Sequence, residues 1–383
     1  MAENTTALEG TLSRAADAVR GEEQIYAASQ WQLMWWRLRR HKLAMAAGIV
    51  LIAFYCAVLG ADFLATSDPT QPEAERGLMS PQRIRLFDGW KPSPHVLAIS
   101  GKRDPITFQR VYEIDAETKI PVRLFARGFE YKFLGLITTD RHLIGVDQPY
   151  RAEDTVFILG TDLQGRDLWS RLMHASRISM TIGLVSVAIT LFLGVLLGGI
   201  SGYYGGWMDI VIQRIIEILR SIPTIPLWMG IAASVPRDWS ILKVYFAITI
   251  IIAIIGWTEV ARVVRGRFLS LREEDFVAAA ELAGASQMRI IFRHMVPSFL
   301  SHIIAATTLA FPAIIIAETS LSFLGLGMRP PAISWGVLLQ AAQQVQAVAL
   351  TPWLLVPAIP VIIAVLAFNF LGDGLRDAAD PYG

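Results

Sequence analysis

Arg214, Glu217 and Arg220 recur every third residue within an apolar stretch, so a helix there places three ionisable groups on one face. Ionisable groups in a bilayer segment line a bundle interior or a water-filled path. Their chemistry is binding or gating of charge, with an ion pair inside the chain as the plain structural alternative. Pro223 and Pro226 follow in the same stretch and free backbone groups that need partners inside the protein, which makes either a hinge or a static kink. Glu318, six residues after Pro312, is a further charged group in an apolar run. Together these six residues are the candidates for a pathway or a gate.

A second constellation serves contact. DFVAAAELAGASQMRIIFRHMVP (275–297) is a polar, helix-prone insert between two very apolar segments. Asp275 and Glu281 sit near helix-start positions, Phe276 and Val277 offer an apolar knob, and Gly284 allows a sharp turn or a close approach. A short helix with Ala279 and Ala280 on one side enters a groove on another protein without steric cost. Arg289, Arg293 and His294 then stand ready for a protein partner or lipid phosphates, and Pro297 closes the insert. Covalent chemistry is not indicated. No nucleophile and base are set at working spacing, no second ligand stands at metal spacing beside His174 or His302, and no G-x-x-x-x-G-K-[ST] loop is present.

These groups must be positioned by helices in a membrane. Hydrophobic residues make up 54% of the chain and charged ones 17%, unlike an ordinary soluble protein. The net charge of +1 gives nothing for nucleic acid to bind. Crossing about 30 Å of hydrocarbon takes roughly 20 apolar residues, and six segments qualify: 43–64, 177–201, 210–234, 241–262, 299–324 and 352–371. WQLMWWRLRRHK (31–42) joins tryptophans to a basic cluster, which holds it at the cytoplasmic headgroup layer as an amphipathic interfacial helix after a polar tail. The first apolar run follows with no cleavage pattern, so it reads as an anchor rather than a signal peptide. Six crossings from an inside N-terminus return the C-terminus to the cytoplasm and place the loop 263–298 there too. Six arginines from Arg262, just ahead of the loop, to Arg293 agree.

Four domains result: 1–42, a cytoplasmic tail and interfacial helix; 43–64, the first span; 65–170, an outer domain; and 171–383, a core of five spans with the 263–298 loop. In the outer domain ITFQRVYEI, IPVRLFARG and KFLGLI alternate like strands, and Arg166, Asp167 and Arg171 return the chain to the membrane interface. Cys56 is the single cysteine, so no disulfide forms within the chain. Gly194, Gly198, Gly202 and Gly206 form G-x-x-x-G steps that let helices approach closely, either within this chain or against a partner.

The insert resembles the EAA signature of ATP-binding-cassette importer permeases, with Ala278-Ala279-Ala280, Gly284 and Pro297 at its spacing. Ala278 and His294 stand where that family has Glu and Ile. ILGTDLQGRDLWSRLMHASRISM (158–180), GYYGGWMD (202–209), ETSLSFLGLGMRPP (318–331), SWG (334–336) and NFLGDGLRDAADP (369–381) are similar to the C-type permease of its oligopeptide/dipeptide branch. The resemblance implies an all-α polytopic membrane protein of the type I ABC importer permease kind, with six transmembrane helices and a strand-rich extracytoplasmic insertion between helices 1 and 2. It implies a bacterial inner-membrane subunit that is no enzyme and binds no cofactor, with ATP and Mg held by two partner ABC ATPase subunits. A second homologous permease and an extracytoplasmic solute-binding protein complete the assembly. Asp275, Phe276, Ala279, Ala280, Glu281, Gly284, Arg293, His294 and Pro297 are then the ATPase-coupling residues. The cargo expected is oligopeptides or dipeptides, with oligosaccharides or other small solutes as the alternative. The rival mechanism, an ion-gradient-driven secondary transporter, predicts an internal repeat that the spans do not show.

Overall fold

The protein is described by a computed structural model over residues 29–103, 105, 110–343 and 345–379. Residues 1–28 of the polar tail expected over 1–30, and residues 380–383, lie outside the described residues.

Helix α1 (Gln30–Arg40) opens on a capping box in which Ser29 and Gln32 satisfy each other's backbone N–H groups. Met34 and Leu38 pack it against the C-terminal helix, while Trp31, Trp35 and Trp36 stay exposed. The first long apolar helix, α2 (Lys42–Leu59), stops at Gly60, short of the expected end at residue 64. A separate turn, Ala61–Leu64, carries Asp62.

The insertion is an antiparallel meander in the order β1 (Arg85–Asp88), β2 (Lys91–Arg103), β3 (Arg110–Phe133) and β4 (Ile137–Val146). Residues 106–109 of the first expected strand segment lie outside the described residues; from Arg110 it runs on into the second as the long β3, whose first half pairs with β2 and second half with β4. KFLGLI is a hairpin tip instead. Leu134 and Gly135 both have positive φ, and Leu136 N donates to Phe133 O at 3.0 Å, the two-residue turn whose twist matches its strands. Val96, Ile120, Val146 and Val156 form the sheet's small core. Lys119, bonded to Asp88 at 2.7 Å, holds that carboxyl below its usual range. The sheet seats on the end of the first apolar helix: Phe125 meets Phe63, and the His142 ring lies 3.0 Å from the Asp62 carbonyl oxygen.

Helix α3 (Leu168–Tyr204) starts well before the expected residue 177. Asp167 caps it by accepting from Ser170 N at 2.8 Å, and both Asp167 and Arg171 are buried within the fold. Arg166 folds back onto Asp162 at 2.7 Å. The expected third span is not one helix. It comprises α4 (Gly206–Ser221) and α5 (Thr224–Ala233), bent by 89°. The break falls at Ile222-Pro223 because the residue before a proline is forced out of helical geometry. Pro226 lies in the first turn of α5, where it costs no hydrogen bond.

Helix α6 (Ile241–Leu271) outruns its expected end at 262, since Val264 and Phe268 continue its buried face. The 275–297 insert contains α7 (Asp275–Leu282), followed by α8 (Leu300–Phe323) and α9 (Ala358–Ala379). Among the described residues five segments are long and apolar enough to cross a bilayer, or six if the bent pair is one span. The glycine steps serve packing within the chain. A Cβ added at Gly194 would fall 2.6 Å from Val260, and one at Gly202 would fall 2.6 Å from Phe268, both on α6. Gly206 instead turns the chain, with φ of +56° and open space around it.

Candidate functional site

Helix α7 forms because Ala278, Ala279 and Ala280 are the strongest helix formers and Asp275 places negative charge in the first turn. It ends in a left-handed turn: Gly284 has φ of +76°, its N–H donates to Glu281 O at 2.9 Å, and Ala285 N donates to Ala280 O at 3.0 Å. No atom outside its neighbours lies within 4 Å of a Cβ built on Gly284, so the glycine serves the turn rather than a close approach within the chain.

The expected apolar knob divides in two. Val277 points inward and is fully buried with Phe268, Ile290, Ile291, Met295 and Phe299 at the ends of the long helices. Phe276 points outward. The Tyr203 hydroxyl at the end of α3 donates to Glu281 at 3.2 Å, a second tie between α7 and the bundle. Asp275 and Ala279 are exposed, and Ala280 is half-buried against the same cluster. Arg293 and His294 lie in a π-helical stretch, Ile290–Met295, and Pro297 opens the turn before α8.

Three exposed residues of this surface escaped sequence reasoning. Leu282 is 90% exposed, and Met288 and Phe292 are exposed further along the insert. Their signal was large apolar side chains on a loop otherwise rich in charge.

The pathway candidates fall into two places. Arg214 and Glu217 pair on α4 at 2.6 Å, both largely exposed, whereas Arg220 pairs across to Glu259 on α6. Asp209, at the start of α4, takes both nitrogens of Arg265 at 2.6 Å and a bond from Ser201. A cavity of about 340 Å³ opens beside these pairs, lined by Gln213, Glu259, Arg262, Val263 and Arg265. Pro223 lies at the bend that ends this face, and Pro226 just beyond it.

Glu318 is elsewhere. It is fully enclosed by the chain's own helices and accepts from Ser179 at 3.0 Å and Ser322 at 2.8 Å. Ser179 also receives Trp335 N, so Glu318 ties α3, α8 and the Trp335 turn together. His174 is likewise held inside the fold, 2.9 Å from Asp62, and His302 meets Arg267. No group of three metal-ligating side chains stands together among the described residues.

Residues 194–382 match the family described as binding-protein-dependent transport system inner membrane component, and residues 29–81 match the N-terminal TM domain of oligopeptide transport permease C. The dipeptide transport system permease protein of Alkalihalophilus pseudofirmus is 40% identical over 224 residues, 58% of this chain and 71% of that one. The oligopeptide transport system permease protein of Bacillus subtilis is 38% identical over 241 residues, 63% and 75% of the two chains. A glutathione transport system permease protein of Pectobacterium atrosepticum is 38% identical over 224 residues, 58% of this chain and 72% of its own.

Proposed function

This chain belongs to the binding-protein-dependent ABC importer permeases, in their oligopeptide/dipeptide branch, and on that premise we propose that it forms half of the translocation pathway of an ATP-driven peptide importer. A second homologous permease supplies the other half. Two ABC ATPase subunits bind ATP and Mg and hydrolyse the nucleotide, and a solute-binding protein delivers cargo from outside. The chain itself binds no cofactor and makes no bonds. It lies in the bacterial inner membrane with both termini in the cytoplasm and the 65–170 insertion outside, where the sheet docks or shields the solute-binding protein.

The observation that carries this reading is the division of α7. Val277 and the Tyr203 hydrogen bond to Glu281 fix it to the long helices, while Phe276 and Leu282 face outward. A helix so built transmits a push from a docked ATPase into the ends of α3, α6 and α8. Asp275, Phe276, Ala279, Ala280, Glu281, Gly284, Arg293, His294 and Pro297 form the coupling surface. ATP-driven closure of the ATPases turns the pathway outward and hydrolysis resets it, with the Pro223 bend as hinge and Arg214, Glu217 and Arg220 on the moving face.

Uptake into membrane vesicles tests it, with labelled short peptides and labelled oligosaccharides, from cells with and without this chain, and with ATP supplied or withheld. The expected result is peptide uptake that needs both the chain and ATP. Uptake confined to oligosaccharides would replace the cargo, and uptake indifferent to ATP would overturn the mechanism.

A further inference from the structure

The charged face of α4 continues onto α6. Arg220 and Asp209 of α4 pair with Glu259 and Arg265 of α6. Along α4 the first two are about 16 Å apart, and along α6 the second two are about 9 Å apart, at 1.5 Å of rise per residue. Asp209 lies in the first turn of α4 and Arg265 six residues before the end of α6, so the two pairs are set apart along the helices that carry them. Ionisable groups on helices that cross a bilayer face a bundle interior or a water-filled path.

The cavity lies beside both pairs. One of its charged residues stands apart: Asp209 neutralises Arg265 and Arg220 neutralises Glu259, but Arg262 has no ion-pair or hydrogen-bond partner among the described residues. Glu259 and Arg262 are three apart on α6, so their side chains leave one helix face about 5–6 Å apart. A guanidinium fork matches a carboxylate bidentately. The volume of about 340 Å³ falls within the range of small-ligand sites.

We propose that this cavity is a cargo-binding station at the cytoplasmic mouth of the pathway. Arg262 takes the carboxylate of a zwitterionic peptide, and Glu259, released from Arg220, takes its ammonium group. The proposal rests on the peptide-importer reading and adds which cargo groups the membrane subunit recognises.

Its test uses vesicles holding the complete importer, with uptake of one short peptide compared with its C-terminal amide and its N-acetyl form. The solute-binding protein's own preference is the same in every variant, so the change in each uptake ratio reports the permease. Arg262→Gln is expected to lower the free-acid to amide ratio about tenfold, the loss of one charge-assisted contact, and Arg262→Lys to keep most of it. Glu259→Gln is expected to lower the free-amine to N-acetyl ratio and leave the carboxylate ratio alone. Unchanged ratios overturn the station. So does an equal fall for all three peptides in Arg262→Gln, which is what contact with a lipid phosphate or an ATPase gives. If Arg262→Gln fails to reach the membrane, the selective effect of Glu259→Gln decides. A wild-type importer that moves none of the three peptides removes the cargo reading itself.

Discussion

Gly198 and Ala261 meet backbone to backbone: a Cβ added at Gly198 would lie 2.4 Å from the Ala261 carbonyl oxygen. Helices α3 and α6 are thus joined through the absence of a side chain, and a turn to either side Gly194 lies against the Val260 side chain and Gly202 against Phe268 and the Arg265 backbone. Gly198→Val forces the helices apart. It is expected to destabilise by about 1–3 kcal/mol or more, read as lower thermal stability of the detergent-solubilised protein. Gly266→Val, where no atom comes within 4 Å, is the matched control and is expected to have little steric effect.

Gly284 has the opposite problem, since space is open but φ is +76°. Gly284→Ala strains the turn by about 1–2 kcal/mol, and Gly284→Asn strains it less. Within the chain Gly284→Trp adds nothing beyond that strain. Uncoupling of ATP hydrolysis from uptake that is much larger for Trp than for Ala therefore reports a partner seated at this turn, and that excess is the expected outcome. Equal effects would remove Gly284 from the docking surface.

Val277 and Phe276 are neighbours with separable effects. Val277→Ala empties a buried position and is expected to cost about 1–2 kcal/mol, visible as easier proteolysis of the 275–297 insert. Phe276→Ala is expected to leave proteolysis unchanged and reduce uptake per ATP hydrolysed. The reverse pattern would place Phe276 in the fold and Val277 at the partner.

Glu318 is bonded to Ser179 and Ser322 with no exposed surface. Glu318→Ala leaves those hydroxyls without their acceptor, at a cost of about 1–3 kcal/mol. The expected result is a lower level of folded protein in the membrane with uptake per folded molecule preserved. Loss of uptake at an undiminished level would restore Glu318 to the pathway.

The sheet touches the end of the first long helix through Phe63 and Asp62. Deletion of 75–145 is expected to leave the chain in the membrane and to sharply reduce uptake that depends on the solute-binding protein. Undiminished uptake by an inserted deletion would count against a docking or shielding role.

Much of the architecture was legible in the order of residues, because it follows from local quantities. Apolar length marked the long apolar helices, and the run Ala278 to Ala280 with Gly284 marked a short helix and the turn that ends it. The alternation of 106–137 announced strands, though merging two segments into β3 depended on their partners on either side. The end of α6 at Leu271 depended on what Val264 and Phe268 meet, and the α4 to α5 bend of 89° has a legible cause at Pro223 but no legible angle.

The sequence by itself determined which segments are long and apolar, where the break at Pro223 falls and where glycines let helices approach, since hydropathy, proline geometry and glycine spacing act within a few residues. Only tertiary structure decided which side chains meet. Arg220 reached past its own helix face to Glu259, 39 positions away, Glu318 turned into a knot of serines, and Val277 parted from Phe276. The physical reason is that pairing and burial depend on distance through space. An ionisable residue in an apolar run reads the same whether packing closes over it or leaves it open.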